Sequence, residues 1–461
     1  MTYFFETYGC QMNIAESAAV EQLLISRGWT KAEDAQVCDL AIINTCSVRQ
    51  TAENRVFGRL GWFSGLKALR AKKPGAKSKT LEIAAEYVKD EAKPITVVVM
   101  GCMAERFLKS LQKDYPVVDY VVGTYAKKQF GEIIEAVENN RKASEVKLSD
   151  DPDKYEFSSV SLEPGAFSAF VPIMHGCNNF CTYCIVPYVR GREKSRSVED
   201  ILKEIDFLSK AGVKEITVLG QNVNSYSYDG VDFPKLLEII CDHIDETKSS
   251  IGWVRFMSSH PKDLSDRLIS VITERKQLCH HIHLAMQHGS TKVLKEMNRR
   301  YTREEYLALV DKIKKAIPDV SLTTDIMVGF PGESEADFEE VLSIMKEIMY
   351  ENAFMYYYNP REGTPAATRT DQIDVEEKKK RLQKVIDLQL EITKVQMEKR
   401  VGQVMTILAE SVSRDNKEEL LGKTPQDERV AFTAPESLIG KFVEVKIDSL
   451  SGNTFRGSLV K

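Results

Sequence analysis

Over residues 1–140, short apolar runs alternate with stretches in which apolar positions recur every three or four residues. The runs are "YFFETYG", "LAIINTC", "ITVVVMG" and "YVVG"; the periodic stretches include "AESAAVEQLLISRG", "AERFLKSLQK" and "KKQFGEIIEAVEN". Apolar runs of this length mark strands and a period of 3.6 marks helices, and their alternation predicts a parallel sheet with crossover helices. Residues 141–165, "RKASEVKLSDDPDKYEFSSVSLEPG", are polar and aperiodic, which predicts a linker. Over 166–399 a second series follows, with strands expected at "AFVPIMHG", "EITVLGQ", "GWVRFMSS", "HIHLAMQ", "SLTTDIMVGF" and "AFMYYYN". Six β/α units predict a partial (β/α)6 barrel whose functional loops lie at the strand C-termini. "VEEKKKRLQKVIDLQLEITKVQMEKR" predicts one long amphipathic helix. From 400 to 461, short β runs with Gly and Asn turns predict a small β-barrel. The expected fold class is α/β: an N-terminal parallel-sheet domain, a central partial barrel and a small C-terminal β-barrel.

Composition adds limits. The 461 residues are 43% hydrophobic and 28% charged, with a net charge of −5. Bulk charge thus gives no hint of a nucleic-acid partner and excludes none, so any such site must come from local patches. The start "MTYFFETYGCQMN" lacks the basic and apolar regions of a signal peptide, and no run reaches the ~18 apolar residues of a membrane span. The expectation is a cytoplasmic protein without a membrane partner. Thiols stay reduced there, so the nine cysteines predict metal binding or catalysis rather than disulfides. Cys38, Cys241 and Cys279 have no motif around them and read as packed or surface thiols.

"MHGCNNFCTYCIVPYVRGREKSR", residues 174–196, places Cys177, Cys181 and Cys184 within eight positions at the end of the first barrel strand. Soft thiolates select zinc, copper(I) or iron–sulfur clusters. A structural zinc site wants four ligands, yet no second C-x2-C or H-x3-H lies nearby, and His175 is expected on a strand that points it away. A cubane has four irons, so three thiolates leave one iron open to substrate, which predicts a catalytic 4Fe–4S cluster. Cys10, Cys46 and Cys102 each directly follow a strand, after "ETYG", "IINT" and "VVMG". Open α/β sheets gather ligands at that edge, so these three are expected to meet.

"GCNNFCTYC" resembles the radical S-adenosylmethionine (SAM) superfamily. The whole chain resembles its methylthiotransferases, through "YGCQMN", "NTCSVR", "GCMAER", "LGQNVNSY", "SSHP", "DIMVGFPGE" and "PREGTPAA", and its last region resembles a TRAM domain. The resemblance implies two 4Fe–4S clusters. Cys177, Cys181 and Cys184 would hold one whose open iron chelates SAM, with Tyr183 fitting the motif. Cys10, Cys46 and Cys102 would hold another whose open iron carries the sulfur to be inserted. SAM would be both methyl donor and radical source, and an electron donor and a sulfur donor are implied partners. Residues 72–93, "KKPGAKSKTLEIAAEYVKDEAK", make the interval between Cys46 and Cys102 longer than the family's. Cys102 as third ligand therefore rests on the local match "VVMGCMAER", with Cys38 as the alternative. His288 stands where the family more often has serine.

"LGQNVNSY" and "SSHP" resemble the branch that methylthiolates C2 of N6-isopentenyladenosine at position 37 of tRNA, adjacent to the anticodon, which implies the tRNA anticodon stem-loop as partner. Other branches act on N6-threonylcarbamoyladenosine in tRNA or on a ribosomal protein. A reading of another class is a non-catalytic iron–sulfur RNA-binding protein, which a four-cysteine site would favour. At the barrel strand ends, Gln221, Asn222, Ser259, Gln287 and Asp325 are polar groups placed for a cofactor, and each also suits a turn or cap. Arg190, Arg192, Lys194 and Arg196 form a basic strip suited to RNA phosphates, with a solvated charged face as the alternative. The terminal barrel has nine basic and nine acidic residues from Arg400 onward, so its RNA role rests on resemblance alone.

Overall fold

The computed structural model describes residues 1–47, 50–71, 95–149, 151, 155–158, 160–163, 165–414 and 416–460. Five strands, β1 (Thr2–Tyr8), β2 (Thr30–Lys31), β3 (Leu40–Thr45), β4 (Thr96–Gly101) and β5 (Tyr120–Val122), form a parallel sheet in the order β2-β1-β3-β4-β5. β3 is buried at every position and β4 at all but its first, as expected of central strands covered on both faces. Helices α1 (Gln11–Ser26), α2 (Gln50–Arg70), α3 (Cys102–Arg106) and α4 (Phe130–Glu138) supply the cover. Leu24 of α1 and Phe130, Ile133 and Ile134 of α4 pack with Leu40, Ile42, Val98 and Met100. Val56, Leu60 and Phe63 of α2 pack with Ala41, Ile43, Val97 and Val99. The helix expected over "AERFLKSLQK" is instead α3 and a separate turn at Leu111–Asp114, a bend that brings Phe107 and Leu111 onto one core cluster.

The expected linker is more than a tether. Residues 155–158 and 160–163 carry no regular element, yet Leu162 and Ser161 are buried, and the Leu162 carbonyl accepts from Gln22 Nε2 at 2.7 Å. The insertion at 72–93 lies outside the described residues. The chain divides into two compact units: residues 1–164 with 170–177 and 185–193, and residues 165–169 with 178–184 and 194–461.

Five of the barrel strands lie wholly in the second unit, and the first barrel strand runs across the division. β6 (Ser168–Pro172), β7 (Glu215–Leu219) and β8 (Trp253–Phe256) form one three-stranded sheet, and β9 (His281–His283), β10 (Ser321–Val328) and β11 (Asn352–Tyr357) form another. The six expected strands are all present, but as two parallel halves joined by single bridges, Val254 to Leu278 and Ser259 to Leu284. The long helix Val375–Glu398 docks on the second half, where Gln389 Nε2 donates to the Tyr350 carbonyl and Thr393 Oγ1 to that of Glu351.

From Val404 onward five strands close into a barrel around Ile407, Leu420, Val430, Phe432, Val445, Ile447 and Phe455. It is fastened within this unit by Arg255. That guanidinium donates to Glu215 and to the main-chain carbonyls of Thr424 and Pro425, each at 2.7 Å, and Lys423 pairs with the same Glu215. Among the described residues no helix is long and apolar enough to cross a membrane.

Candidate iron–sulfur and cofactor site

Pairing register brings the sheet-edge cysteines together. Tyr8 pairs with Thr45, and Thr45 with Gly101, so Cys10, Cys46 and Cys102 leave adjacent strands at one level. Cys10 is the N-cap of α1, and both its amide and its thiol contact Asn13 Oδ1, at 3.2 and 3.3 Å. Asn13 is itself locked to Asn44 and the Thr45 carbonyl. Gly101 has φ +98, and a Cβ there would lie 2.5 Å from Asn44 Oδ1 and from the Thr45 carbonyl, so only glycine can turn the chain to start α3 at Cys102. Cys46 and Cys102 are buried and Cys10 is exposed; all three are free thiols. Burial pushes the Cys102 thiol pKa up, and the neighbouring Arg190 charge pulls it down. Among the described residues no three His, Cys, Asp or Glu side chains close to single-ion spacing. A polynuclear cluster, whose sulfurs bind separate irons, does not require that. Soft donors at one sheet edge with a buried cation beside them fit such an anionic group.

The basic strip is not a strip. Arg190 ends the short helix α5 (Val186–Arg190) and is buried, its guanidinium on Glu16 at 2.8 Å and on Cys102 Sγ at 3.2 Å. Arg196 is also buried, ion-paired with Glu204, and donates to the Asp200 carbonyl. Neither can present its charge to phosphate, which corrects the expectation for both. Gly191, at φ +67, turns the chain between them and breaks the alternation that would have put all four cations on one face. Arg192 is exposed and Lys194 half-buried.

In the C-x3-C-x2-C loop, Cys177 and Cys181 are buried and Cys184 half-buried. The Cys177 amide donates to the Gly191 carbonyl at 3.1 Å. In the other unit the loop's second half is pinned: Asn298 Nδ2 donates to the carbonyls of Asn179 and Phe180, and the Thr182 amide to that of Met297. Arg299 Nη1 lies 3.5 Å from Cys181 Sγ and is held by Ala285 and Tyr301. Tyr183 packs with Phe330, Tyr358 and Met297, and burial raises its hydroxyl well above the ordinary tyrosine pKa.

Among the polar residues expected at the strand ends, the structure joins Gln287 and Asp325. Gln287, at φ +70, gives its amide to the Asp325 carbonyl at 2.8 Å and its side chain to Asp325 Oδ2 at 3.3 Å. His283 reaches the same carboxylate at 3.4 Å. Ser259 is buried with no partner for its hydroxyl among the described residues, and Gln221 is half-buried. Asn222 is engaged elsewhere: Nδ2 donates to Asp263 at 2.7 Å and Oδ1 accepts from the His260 amide. Its side chain ties the loop after β7 to Asp263 and His260. His288 accepts from the Ser290 amide and meets Glu333 at 3.2 Å. Burial raises the Glu333 carboxyl, but His288 and Arg381 outweigh it and hold it below the usual range. Glu333 in turn accepts from the amides of Gly329 and Phe330, so His288 braces the "VGFPGE" loop.

Several residues escaped sequence reading. Phe354 pairs with Asp325 and Tyr356 with Met327, and partners in a parallel ladder point to the same face. Phe354 contacts the His283 ring and is 40% exposed, which adds an aromatic wall beside Asp325. The signal was available in the alternation of "FMYY". Arg299 carried none, because its contact with Cys181 spans 118 positions.

Comparison with known proteins places this architecture. Residues 171–345 match the Radical SAM superfamily, 2–123 the Uncharacterized protein family UPF0004, and 398–460 the TRAM domain. The chain is 50% identical to the tRNA-2-methylthio-N(6)-dimethylallyladenosine synthase of Treponema denticola, covering 100% of both chains. Identity is 49% to that of Treponema pallidum, over 100% of this chain and 99% of the other, and 43% to that of Carboxydothermus hydrogenoformans, over 97% and 96%. Among solved structures, a radical S-adenosylmethionine methyltransferase of Kitasatospora setae, bound to tryptophan and a SAM analogue, superposes with a TM-score of 0.57 at 12% identity, over 79% of this chain and 75% of that one. A cobalamin-dependent SAM radical enzyme, OxsB, gives 0.51 at 11% identity, over 84% and 56%. Likeness at that identity concerns the fold alone. On its full-length relatives, the chain belongs to the family of tRNA-2-methylthio-N(6)-dimethylallyladenosine synthases.

Proposed function

We propose that this chain is a radical SAM methylthiotransferase that adds a methylthio group at C2 of N6-isopentenyladenosine at position 37 of tRNA, adjacent to the anticodon. The observation that carries the reading is the full-length identity to relatives of that name. Two cysteine trios support it, one at the sheet edge and one in the C-x3-C-x2-C loop. Cys177, Cys181 and Cys184 would hold one 4Fe–4S cluster, and Cys10, Cys46 and Cys102 the other. Bound there, such clusters with SAM supply open irons and radical chemistry suited to a strong sp² C–H bond that has no acidic proton. The chain's own residues bind and orient. Ser259, Gln287 and Asp325 offer polar groups for SAM, and Met327, Phe354 and Tyr356 form a wall suited to a flat base and its alkenyl chain. Burying that chain favours binding by roughly 0.8 kcal/mol per CH₂. Arg192 and Lys194 remain as phosphate contacts. An electron donor and a sulfur donor complete the reaction.

The test is anaerobic turnover on synthetic anticodon stem-loops. The loop with N6-isopentenyladenosine should gain the methylthio group, and the unmodified loop should react poorly. Equal or faster reaction on N6-threonylcarbamoyladenosine would overturn the substrate assignment.

A further inference from the structure

A charged hydrogen-bond donor is buried beside one thiol of the sheet-edge trio. Helix α5, which ends in Arg190, is fixed in place: Val189 and Ile185 pack on Cys102, and the Val189 carbonyl accepts from Thr124 Oγ1 at 2.5 Å. At the following Gly191 a Cβ would meet the Tyr125 hydroxyl at 2.6 Å, so the chain turns where only glycine fits. The Arg190 side chain is 2% exposed. Its Nε donates to Cys102 Sγ at 3.2 Å, and its two terminal nitrogens fork onto the Glu16 carboxylate at 2.8 and 3.5 Å. Lys127, also buried, pairs with the same carboxylate. Arg190 stays charged, and Glu16, which Lys127 shares, leaves its Nε to Cys102. A buried donor of a charged group is costly to leave without an acceptor, so the arrangement calls for one on its open side. What lies on that side is Cys102, with Cys10 near enough to interact.

We infer that Arg190 is a positioning residue for the sheet-edge cluster: its Nε holds the Cys102 sulfur in place and favours the cluster's more negative, reduced state. Glu16, with Lys127, fixes the guanidinium in turn. Hydrogen bonds and cations at ligand sulfurs raise a cluster's reduction potential. The inference rests on reading Cys10, Cys46 and Cys102 as cluster ligands. Its test separates the two.

The full chain with Cys177, Cys181 and Cys184 all replaced by Ala, reconstituted anaerobically, leaves only the sheet-edge cluster to be read. Its midpoint is measured by EPR-monitored titration with Arg190 intact, as Arg190→Gln and as Arg190→Lys. At the midpoint of the Arg190 protein, the reduced-to-oxidised ratio should fall about tenfold in Arg190→Gln, a 59 mV shift for one electron. Arg190→Lys keeps the charge and the Glu16 pair, so its ratio should stay within about threefold, while the lost Nε–Sγ bond changes the EPR spectrum. One midpoint and one spectrum across all three proteins would overturn the inference and leave the ligand reading standing. Absence of any cluster with Arg190 intact would overturn both. If Arg190→Gln does not fold, the Arg190→Lys spectrum decides, and an unchanged one refutes the role.

Discussion

Replacing Cys177, Cys181 and Cys184 by Ala should halve an iron content of about eight per chain, expected for two 4Fe–4S clusters, and abolish SAM cleavage. Replacing Cys10, Cys46 and Cys102 should also halve the iron, but leave reductive SAM cleavage and stop thiolation. Iron analysis and a cleavage assay check both. Four cations at alternate positions look like one face, yet the turn at Gly191 and a buried carboxylate for each of Arg190 and Arg196 divide them. Side-chain direction of this kind depends on tertiary partners as distant as Glu16, 174 positions away. Arg196→Gln should therefore destabilise the fold by about 3–5 kcal/mol, since it strands the buried Glu204, and leave the RNA salt dependence of the remaining folded protein unchanged. Arg192→Ala should instead weaken all tRNAs alike and reduce the salt slope by about 1. Urea unfolding and RNA titrations at several salt concentrations distinguish the two.

Strands were legible as elements because central parallel strands are apolar end to end, as β3 and β4 are. Their joints were harder to see. Nothing in "AFVPIMHG" shows that β6 stops at Pro172, or that the six barrel strands divide three and three. Breaks of that kind follow from local twist and loop packing, which hydrophobic period does not encode. The join between β4 and α3 shows how much depends on one such point. With φ +98 and two oxygens 2.5 Å from any Cβ, Gly101→Ala must move the backbone that aims Cys102. Strain there costs about 1–3 kcal/mol. The expected result is a folded protein that has lost the sheet-edge cluster, with iron halved and the absorbance of the other cluster retained.

Across the whole molecule, acid should act partly through β9. His281 is buried in that strand, and burial lowers its pKa from the ordinary 6.5 to about 4. Between those values the unfolded chain binds a proton that the native chain does not, so stability is full above pH 6.5 and falls as the pH drops toward 4. The loss at pH 5 should be on the order of 2 kcal/mol. His281→Gln should flatten that part of the unfolding profile, which urea midpoints at pH 7.5 and 5 would show. The terminal barrel was legible as an element, but its fastening was not, because Arg255 grips main-chain carbonyls about 170 positions away. That choice of acceptor has an evolutionary consequence. A joint built on carbonyl oxygens places no side-chain demand of its own at 425, whereas Thr424 is buried and its hydroxyl accepts from the Gln426 and Glu428 amides, so that position is fixed by the loop that presents the carbonyls. The terminal barrel is thereby attached as a cassette, and engineered chimeras should keep its docking only if they retain Arg255, Glu215 and Lys423 together with the apolar contact of Trp253 on Phe442 and Leu408.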